Sequence, residues 1–198
     1  MNEFLLMLVI LNPFSQLLYL QELMDELQPI TFIKIHLKAT FISLIIFLLF
    51  SLIGENYLMK YVFQIRLASL QIFGGIIMLF IAFQYIVKGP GSNLMFRGDI
   101  TDLAPNISLP YMVGPGTLWI SILIGKKYEL HLAGLIIAGV LAVNFILIAS
   151  YHQLNYKLGS SKNVRISKYL AILMRTNALF IGAIAVEMLI SGIENVIN

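Results

Sequence analysis

The chain contains no cysteine, and only 12% of its residues are charged. The absence of thiols excludes disulfides, thiolate metal sites and cysteine nucleophiles. Soluble domains carry roughly 25% charged residues, so the shortage of charge argues against a surface that faces water. The hydrophobic share of 59% and the mean hydropathy of +0.89 point the same way. The composition therefore predicts an integral membrane protein.

Signatures of enzymes and of nucleic-acid binding are also lacking. The sequence has no His-Glu-x-x-His and no Gly-x-Ser-x-Gly motif, so we expect no catalysis and no cofactor. The histidines, His36, His131 and His152, are predicted to lie in or near loops, too scattered for a metal site. The net charge of +3 comes from Lys and Arg residues beside apolar runs, where they suit lipid headgroups better than nucleic acid. The bilayer is the expected partner.

Six apolar segments are long enough, or nearly so, to cross a bilayer, which takes about 20 residues. They run from about residue 4 to 23, 39 to 53, 67 to 87, 107 to 124, 132 to 149 and 170 to 190. The first has no basic leading region and no small-residue cleavage site, so it is predicted as a retained helix rather than a signal peptide. The predicted fold class is all-α, with six crossings in one transmembrane domain over residues 1–198.

Proline interrupts two of these segments. Asn12-Pro13-Phe14-Ser15 breaks the first, and Gly114-Pro115-Gly116-Thr117 breaks the fourth. Proline removes a backbone donor and clashes with the preceding turn, and glycine lets the chain leave helical geometry. Peptide groups freed in hydrocarbon must face protein, water or a ligand. Transporters commonly build substrate sites from such breaks, so these two stretches are candidates for binding a solute.

The two halves of the chain resemble each other. Pro13 and Pro115 lie 102 residues apart, and Ile81-Ala82-Phe83-Gln84 matches Ile184-Ala185-Val186-Glu187 at an offset of 103. We interpret the match as an internal repeat, with copies at about 1–88 and 107–198 joined by a polar loop over 88–106. An odd number of crossings per copy forces opposite orientations, which is the inverted-repeat arrangement of many secondary transporters. Chance similarity between apolar segments is the alternative.

The charges of the loops predict an orientation. The first, third and fifth loops hold eight Lys and Arg residues, whereas the second and fourth hold four. The positive-inside rule then places the richer loops in the cytoplasm and both termini outside the cell membrane. The richer set comprises Lys34, Lys38, Lys88, Arg97, Lys157, Lys162, Arg165 and Lys168, and the poorer set Lys60, Arg66, Lys126 and Lys127.

Taken together, these motifs resemble the MarC family of small six-helix membrane proteins. The resemblance rests on both breaks, on Gln71-Ile72-Phe73-Gly74-Gly75-Ile76 followed by Ile81-Ala82, on Leu109-Pro110, and on Ile184-Ala185-Val186 followed by Gly192-Ile193. It covers nearly the whole chain in the expected order. It implies the fold of the lysine-exporter superfamily, with two inverted repeats of three helices. It also implies transport of small neutral amino acids such as glycine and alanine, in or out, with proton coupling proposed.

Two residues depart from the family's pattern. Ser15 stands where a glycine is usual, and Glu187 stands where an amide is expected. A hydroxyl at Ser15 narrows the site or adds a contact to it. Carboxylates inside membranes are usually functional, which makes Glu187 a candidate for coupling. Arg175 is a second candidate, through a substrate carboxylate, although arginine near a helix end often snorkels to headgroups.

Amide side chains also occur inside the apolar runs. They are Gln71, Gln84, Asn144 and Asn177, and hydrogen bonding between helices is the expected role for each. Gln71 is the best of them as a substrate-binding candidate, because Gly74-Gly75 follows one turn later. The glycine pair itself predicts close helix packing.

The sequence favours a secondary transporter of small neutral amino acids, working by alternating access around a site near the midplane. Two alternatives stay open: an exporter of another small metabolite or a drug, and a structural membrane protein that transports nothing. A structural protein has no need of polar breaks at matched positions in both halves. The sequence leaves open whether a proton or another cation is coupled and whether the chain forms a homo-oligomer.

Overall fold

The computed structural model describes residues 3–87, 103–158 and 160–197. These residues form helices joined by short connections, and no β-strand occurs among them. The α-helices are α1 (Glu3–Leu11), α2 (Pro13–Tyr19), α3 (Gln21–Glu26), α4 (Pro29–Ile53), α5 (Leu67–Val87), α6 (Leu103–Asn106), α7 (Pro115–Lys127), α8 (Leu130–Leu158) and α9 (Ser160–Ile197).

Within the described ranges, four helices are long and apolar enough to cross a membrane, as judged by length and composition: α4, α5, α8 and α9. Their outward faces carry large apolar side chains such as Phe41, Leu135 and Phe180, which are 60%, 67% and 60% exposed. Extended apolar surface of this kind is expected to face lipid rather than water. The chain is therefore an integral membrane protein.

The predicted range is confirmed for α5, whereas the ranges predicted for the other three long helices are too short. α5 runs over 67–87 as predicted. In contrast, α4 begins at Pro29 rather than residue 39, and α8 covers 130–158 rather than 132–149. α9 covers 160–197 rather than 170–190, so that Lys162, Arg165 and Lys168 belong to this helix and not to a loop. An apolar run marks only the part of a helix in hydrocarbon, and Lys, Arg and Gln continue the helix into polar surroundings at little cost.

The polar loop predicted over residues 88–106 lies mostly outside the described residues, which resume at Leu103. From there the chain forms α6 and then a wide-turn helix, Ile107–Met112, with a kink at Leu109 (φ −115°, ψ 112°). The fourth predicted crossing, residues 107–124, is thus divided into this wide-turn helix and a separate α-helix, α7.

The connection between α4 and α5 is a π-helix, Gly54–Phe63. Its hydrogen bonds reach one residue further than those of an α-helix, which widens the turn. It ends at Gln64, whose φ of 53° lies in the left-handed region. A left-handed residue is a common helix terminator, and the chain turns here into α5.

α5 and α9 form the most extensive helix pair of the described chain. A Cβ at Gly75 would stand 2.9 Å from the Ala185 carbonyl oxygen, and one at Gly192 would stand 2.6 Å from the Ile72 side chain. Small residues that let backbones approach are typical of helix packing in membranes. The close packing predicted from the glycine pair is confirmed.

Helices of the first half of the chain pack on helices of the second half. α1 packs on α7, α4 on α8 and α5 on α9. Contacts between unlike segments are also matched. The contact of α4 with α7 corresponds to that of α1 and α2 with α8, and the contact of α5 with α7 corresponds to that of α1 and α2 with α9. Each of the two broken segments therefore contacts the helices of the opposite half.

α4 and α7 meet without an intervening side chain. A Cβ at Gly125 of α7 would stand 1.8 Å from the Ser51 carbonyl oxygen of α4. At Gly54, which follows α4, a Cβ would stand 2.7 Å from the Ile122 side chain of α7. Because no side chain fits at Gly125, the two backbones are in direct contact at this point.

Candidate solute-binding site

The first break is centred on Asn12, whose φ of 52° lies in the left-handed region that asparagine tolerates better than most residues. Its N–H bonds the Leu8 carbonyl (3.1 Å) and so ends α1. Its side chain then caps α2, because Oδ1 accepts from the Ser15 N–H (3.2 Å) and Nδ2 donates to the Ser15 hydroxyl. Pro13 opens α2, where its missing N–H costs nothing. One asparagine therefore ends one helix and begins the next.

Amide side chains donate hydrogen bonds to the backbone carbonyls that this break leaves without a helical partner. Gln16 Nε2 donates to the Leu11 carbonyl (2.8 Å), and Asn177 Nδ2 of α9 donates to the Val9 carbonyl (3.4 Å). Gln16 Oε1 accepts in turn from Asn144 Nδ2 of α8 (3.1 Å). The bonds between helices predicted for Asn144 and Asn177 are confirmed. The first break is thus held in place by side chains of α2, α8 and α9.

The second break is built around a hydroxyl. Gly114 is extended (φ −131°, ψ 174°), and Pro115 opens α7 as Pro13 opens α2. The Thr117 hydroxyl accepts from the Gly114 N–H (2.8 Å). It also lies 3.0 Å from the Met112 carbonyl and 3.0 Å from the Gly114 carbonyl, either of which can take its hydrogen. Thr117 alone therefore bridges the gap before α7.

The N-terminus of α7 offers backbone donors. Its first backbone hydrogen bond joins the Leu118 N–H to the Gly114 carbonyl (2.9 Å). The N–H groups of Gly116 and Thr117 precede that bond, and the first N–H groups of a helix have no carbonyl of their own helix to bond. Together with the helix dipole, such groups favour an anion or a carboxylate.

The two breaks line one cavity of about 240 Å³. Six of the nine residues predicted to bind substrate border it: Asn12, Ser15, Gly114, Pro115, Gly116 and Thr117. The rest of its wall is mainly apolar and consists of Ile10, Leu11, Gln16, Ile77, Met78, Ile81, Tyr85, Met112, Val113 and Ile181. None of these lining residues carries a formal charge, so the site is polar at the breaks and apolar elsewhere.

The other predicted residues lie away from the cavity. Pro13 and Phe14 belong to α2 but do not border it. Gln71 is buried between α5 and α9, where its Oε1 lies 3.5 Å from an amide of α9. Glu187 and Arg175 are exposed on the surface of α9, and the coupling role of both stays a prediction.

Sequence reasoning misses Gln16 and Tyr85 as cavity residues. Gln16 lies four residues after Asn12, which is one helical turn along the same face, and that spacing is the signal that could have found it. The sequence match between the two halves gives no help with Gln16, because Leu118 stands 102 residues later. Tyr85 follows several large apolar residues in α5, and nothing in the sequence separates it from residues that face lipid.

An ion pair joins the start of α1 to the end of α7. Lys127 Nζ and the Tyr128 hydroxyl donate to the two carboxylate oxygens of Glu3, at 2.6 and 2.7 Å. Both hydrogen bonds lower the pKa of Glu3, to about 2, and the bond from Lys127 has the larger effect. All three residues lie outside the predicted crossings. The contact fixes the two broken segments to each other at one end of the bundle.

The prediction that all the histidines lie in or near loops is wrong for two of them. His36 and His152 lie inside α4 and α8 and are 0% and 2% exposed, because both helices extend beyond their apolar runs. His131 does lie at the start of α8, exposed, with its Nδ1 3.6 Å from the Glu129 carboxylate.

The whole chain is similar to known membrane proteins. A family model described as MarC family integral membrane protein matches residues 1–197. A UPF0056 membrane protein of Pyrococcus horikoshii is 24% identical over 200 residues, covering 100% of this chain and 94% of that protein. A UPF0056 membrane protein of Buchnera aphidicola subsp. Baizongia pistaciae is 27% identical over 200 residues, covering 96% of this chain and 94% of that protein. No solved structure matches this chain. The resemblance seen in the motifs is confirmed, and the chain belongs to the MarC family of integral membrane proteins.

Proposed function

We propose that the protein is a secondary transporter of small neutral amino acids, similar in size to glycine or alanine, and that the solute binds in the cavity between the two breaks. The observation that carries this proposal is that broken segments from both halves of the chain line one cavity. Transporter sites commonly form where discontinuous helices of two repeats meet. A structural membrane protein has no need of such a site.

The cavity suits a small zwitterion. The N–H groups at the start of α7 favour a carboxylate, and the side-chain oxygens of Asn12, Ser15 and Gln16 can accept hydrogen bonds from an ammonium group. Since no lining residue is charged, a solute without net charge requires no counter-ion. The volume of about 240 Å³ is below the range of about 300–1,000 Å³ typical of drug-sized ligands, which favours a small solute over a drug.

The proposal includes an inverted-repeat architecture. The broken segments add two crossings to the four continuous helices, and the matched contacts between the halves support a two-fold relation. Alternating access then moves one repeat against the other around the cavity. The positive-inside rule places both termini outside. Coupling to a proton or cation, with Glu187 and Arg175 as candidates, completes this proposal, and no catalytic role is included.

Uptake of radiolabelled glycine and alanine into proteoliposomes tests the transport function. We expect saturable uptake by the wild type and uptake at least about tenfold slower in Pro115→Ala, because misplacement of a binding group by about 1 Å can cost that much or more. Pro29→Ala is the matched control, since Pro29 also opens a helix but does not border the cavity.

Two results would contradict the proposal in different ways. Absence of uptake and efflux of every small amino acid, in folded protein, would rule out this substrate class. Equal uptake by wild type and Pro115→Ala would remove the second break from the transport site.

A further inference from the structure

Two buried histidines lie where α4 packs against α8. His36 is fully buried and His152 is 2% exposed. Neither ring nitrogen of His36, nor Nε2 of His152, has a hydrogen-bond partner within the described chain. Both residues sit inside helices that are long and apolar enough to cross a membrane.

Leaving these nitrogens without partners is costly. A neutral imidazole always carries one N–H donor and one acceptor, and burying either without a partner is destabilising. A phenylalanine or leucine at position 36 would avoid that cost. Buried polar groups without partners call for an explanation such as a functional role, and ionisable residues inside membrane helices commonly mark proton pathways.

Two aromatic rings flank His36 and offset part of the cost that burial imposes on a charged imidazole. Its ring stacks on Phe145 (5.4 Å, 8° between planes) and on Phe32 (5.8 Å, 16°). A positive charge over an aromatic face is attracted by the electrons of the ring, most strongly where water is excluded. Protonated His36 would gain this stabilisation from two rings at once. Phe32 also contacts His152 (4.7 Å), so one ring lies against both histidines.

An exposed carboxylate lies near the second histidine. Asp25 of α3 is exposed and interacts electrostatically with His152 and with Tyr151, whose hydroxyl has no partner in the described structure. Asp25, Tyr151 and His152 are thus titratable groups of α3 and α8 at and around the second histidine, and the described side chains of residues 103–125 carry no formal charge.

The lysines of α4 do not enter this region. Lys34 and Lys38 flank His36 in sequence, but both are exposed. The charge that acts on His152 is that of the Asp25 carboxylate on α3. A proton entering from this side meets a negative group first and the buried imidazoles after it.

The histidines also adjoin the residues that hold the cavity. Phe145, which stacks on His36, directly follows Asn144 in α8. Asn144 is fully buried and donates to Gln16, which borders the cavity. The Asn144 Oδ1 has no partner of its own within the described residues. A change in charge at His36 therefore acts on α8 one residue away from the hydrogen bond that fixes Gln16.

We propose that His36 and His152 form a proton-binding site between α4 and α8, and that its occupancy is coupled to the solute cavity through Asn144 and Gln16. Protons reach the site from the side of Asp25. The coupling part rests on the transport function proposed above, whereas proton binding does not. The site is a further candidate for the coupling role beside Glu187 and Arg175.

Direct titration tests proton binding without any transport. The chain has three histidines, so 15N-histidine NMR of protein in nanodiscs gives three sets of ring signals, assigned with His36→Gln, His152→Gln and His131→Gln. We expect the His36 signals to move towards the cationic position as the pH falls from about 8 to about 4, a window that extends below the usual range of histidine because burial disfavours the charged ring. Signals of His36 and His152 that stay neutral throughout would overturn the proposal.

Transport of glycine or alanine tests the coupling. His36→Phe retains an aromatic ring in the stack and cannot titrate. We expect it to retain counterflow exchange at zero proton gradient and to lose the acceleration that an imposed gradient gives the wild type. The exposed His131→Gln is the matched control and retains both. If the wild type transports no solute, the proposed function fails while the titration still decides the proton site.

Two outcomes would overturn the coupling. One is gradient-driven uptake that persists in His36→Phe. The other is gradient dependence that is lost in Glu187→Gln and retained in His36→Phe, which would assign coupling to α9 instead. Because His36→Gln can unfold the bundle, the phenylalanine variant with intact counterflow is the one that decides.

Discussion

The two breaks start their second helix in the same way but satisfy their freed backbone groups differently. Pro13 and Pro115 both open a helix, and Ser15 and Thr117 both stand two residues later. In the first break, the side chain of Asn12 caps α2. Amide side chains from three helices donate hydrogen bonds to the freed carbonyls and to one another. In the second break, one threonine hydroxyl spans the gap.

The first break is thus a wall of the cavity that side-chain hydrogen bonds hold in place, whereas the second break is a wall whose backbone groups remain open to a solute. The first break is closed by side chains, so its geometry depends on Asn12, Gln16 and Asn144 together. The second break leaves backbone N–H groups at the start of α7, which can bond a solute. We infer that the first break positions the cavity and that the second supplies most of the contacts to the carboxylate.

The largest expected effect is on stability at the first break. Asn12→Val places a β-branched residue at a φ of 52° and removes the cap of α2. The left-handed conformation costs about 1–2 kcal/mol and the lost cap about 0.5–2 kcal/mol, so we expect a loss of about 2–4 kcal/mol in the free energy of unfolding. Gly114→Ala is the control, because Gly114 is extended and a Cβ there meets nothing within 4 Å. Denaturant unfolding in detergent that shows equal losses for both variants would abolish the distinction.

Gln16→Leu tests whether the amides of the first break act together. It leaves the Leu11 carbonyl and the Asn144 amide without their bonds, which we expect to cost about 1–3 kcal/mol. Asn144→Leu in the Gln16→Leu background should cost less than in the wild type, with an interaction energy of about 0.5–3 kcal/mol. Additive losses in the double-mutant cycle would show that the two amides do not depend on each other.

At the second break the expected effect is on transport. A Cβ at Gly116 would stand 2.2 Å from Met78 Sδ and 3.2 Å from the Ile10 side chain. Gly116→Ala should therefore push Met78 into the cavity and lower the uptake rate about tenfold, which corresponds to about 1.4 kcal/mol. Met78→Ala in the same chain should restore part of the rate. Failure of this second change to restore uptake would mean that Gly116 is needed for a reason other than space.

The smallest effect is expected where the two broken segments are tied together. The pKa of Glu3 is lowered from 4.5 to about 2 in the folded protein, so its ion pair adds stability above pH 4.5 and loses it as the pH falls from 4.5 towards 2. Lys127 is 54% exposed at its side chain, and water screens such pairs. We expect Glu3→Gln to reduce the dependence of the melting temperature on pH in this window. Glu129→Gln, at an exposed site, serves as control and should leave the dependence as in the wild type.

The sequence is most informative where one local rule decides the structure. The apolar run, which contains no charged residue, predicts α5 to the residue, and the prolines at 13 and 115 predict where α2 and α7 begin. The hydroxyls of Ser15 and Thr117 likewise stand at equivalent positions of the two halves in the sequence itself. Each of these features depends on neighbours within a few residues.

Features that depend on distant partners escape the sequence. The bond of Gln16 to Asn144 spans 128 residues, and that of Lys127 to Glu3 spans 124. His36 reads as part of a polar connection because Lys34 and Lys38 surround it, yet the helix turns it inward while both lysines face out. No local pattern reports which side of a helix another helix covers.

The direct contact of Gly125 with the Ser51 carbonyl limits how the bundle can move. We expect it to act as a fulcrum, since α4 and α7 cannot come closer there and separating them would expose peptide groups. Pro115 lies ten residues away, a lever arm of about 15 Å at 1.5 Å per residue. A tilt of about 4° then moves the start of α7 by about 1 Å, enough to tighten or release a bound carboxylate. Spin labels would show this as a distance from α4 that stays constant at the end of α7 and changes with solute at its start.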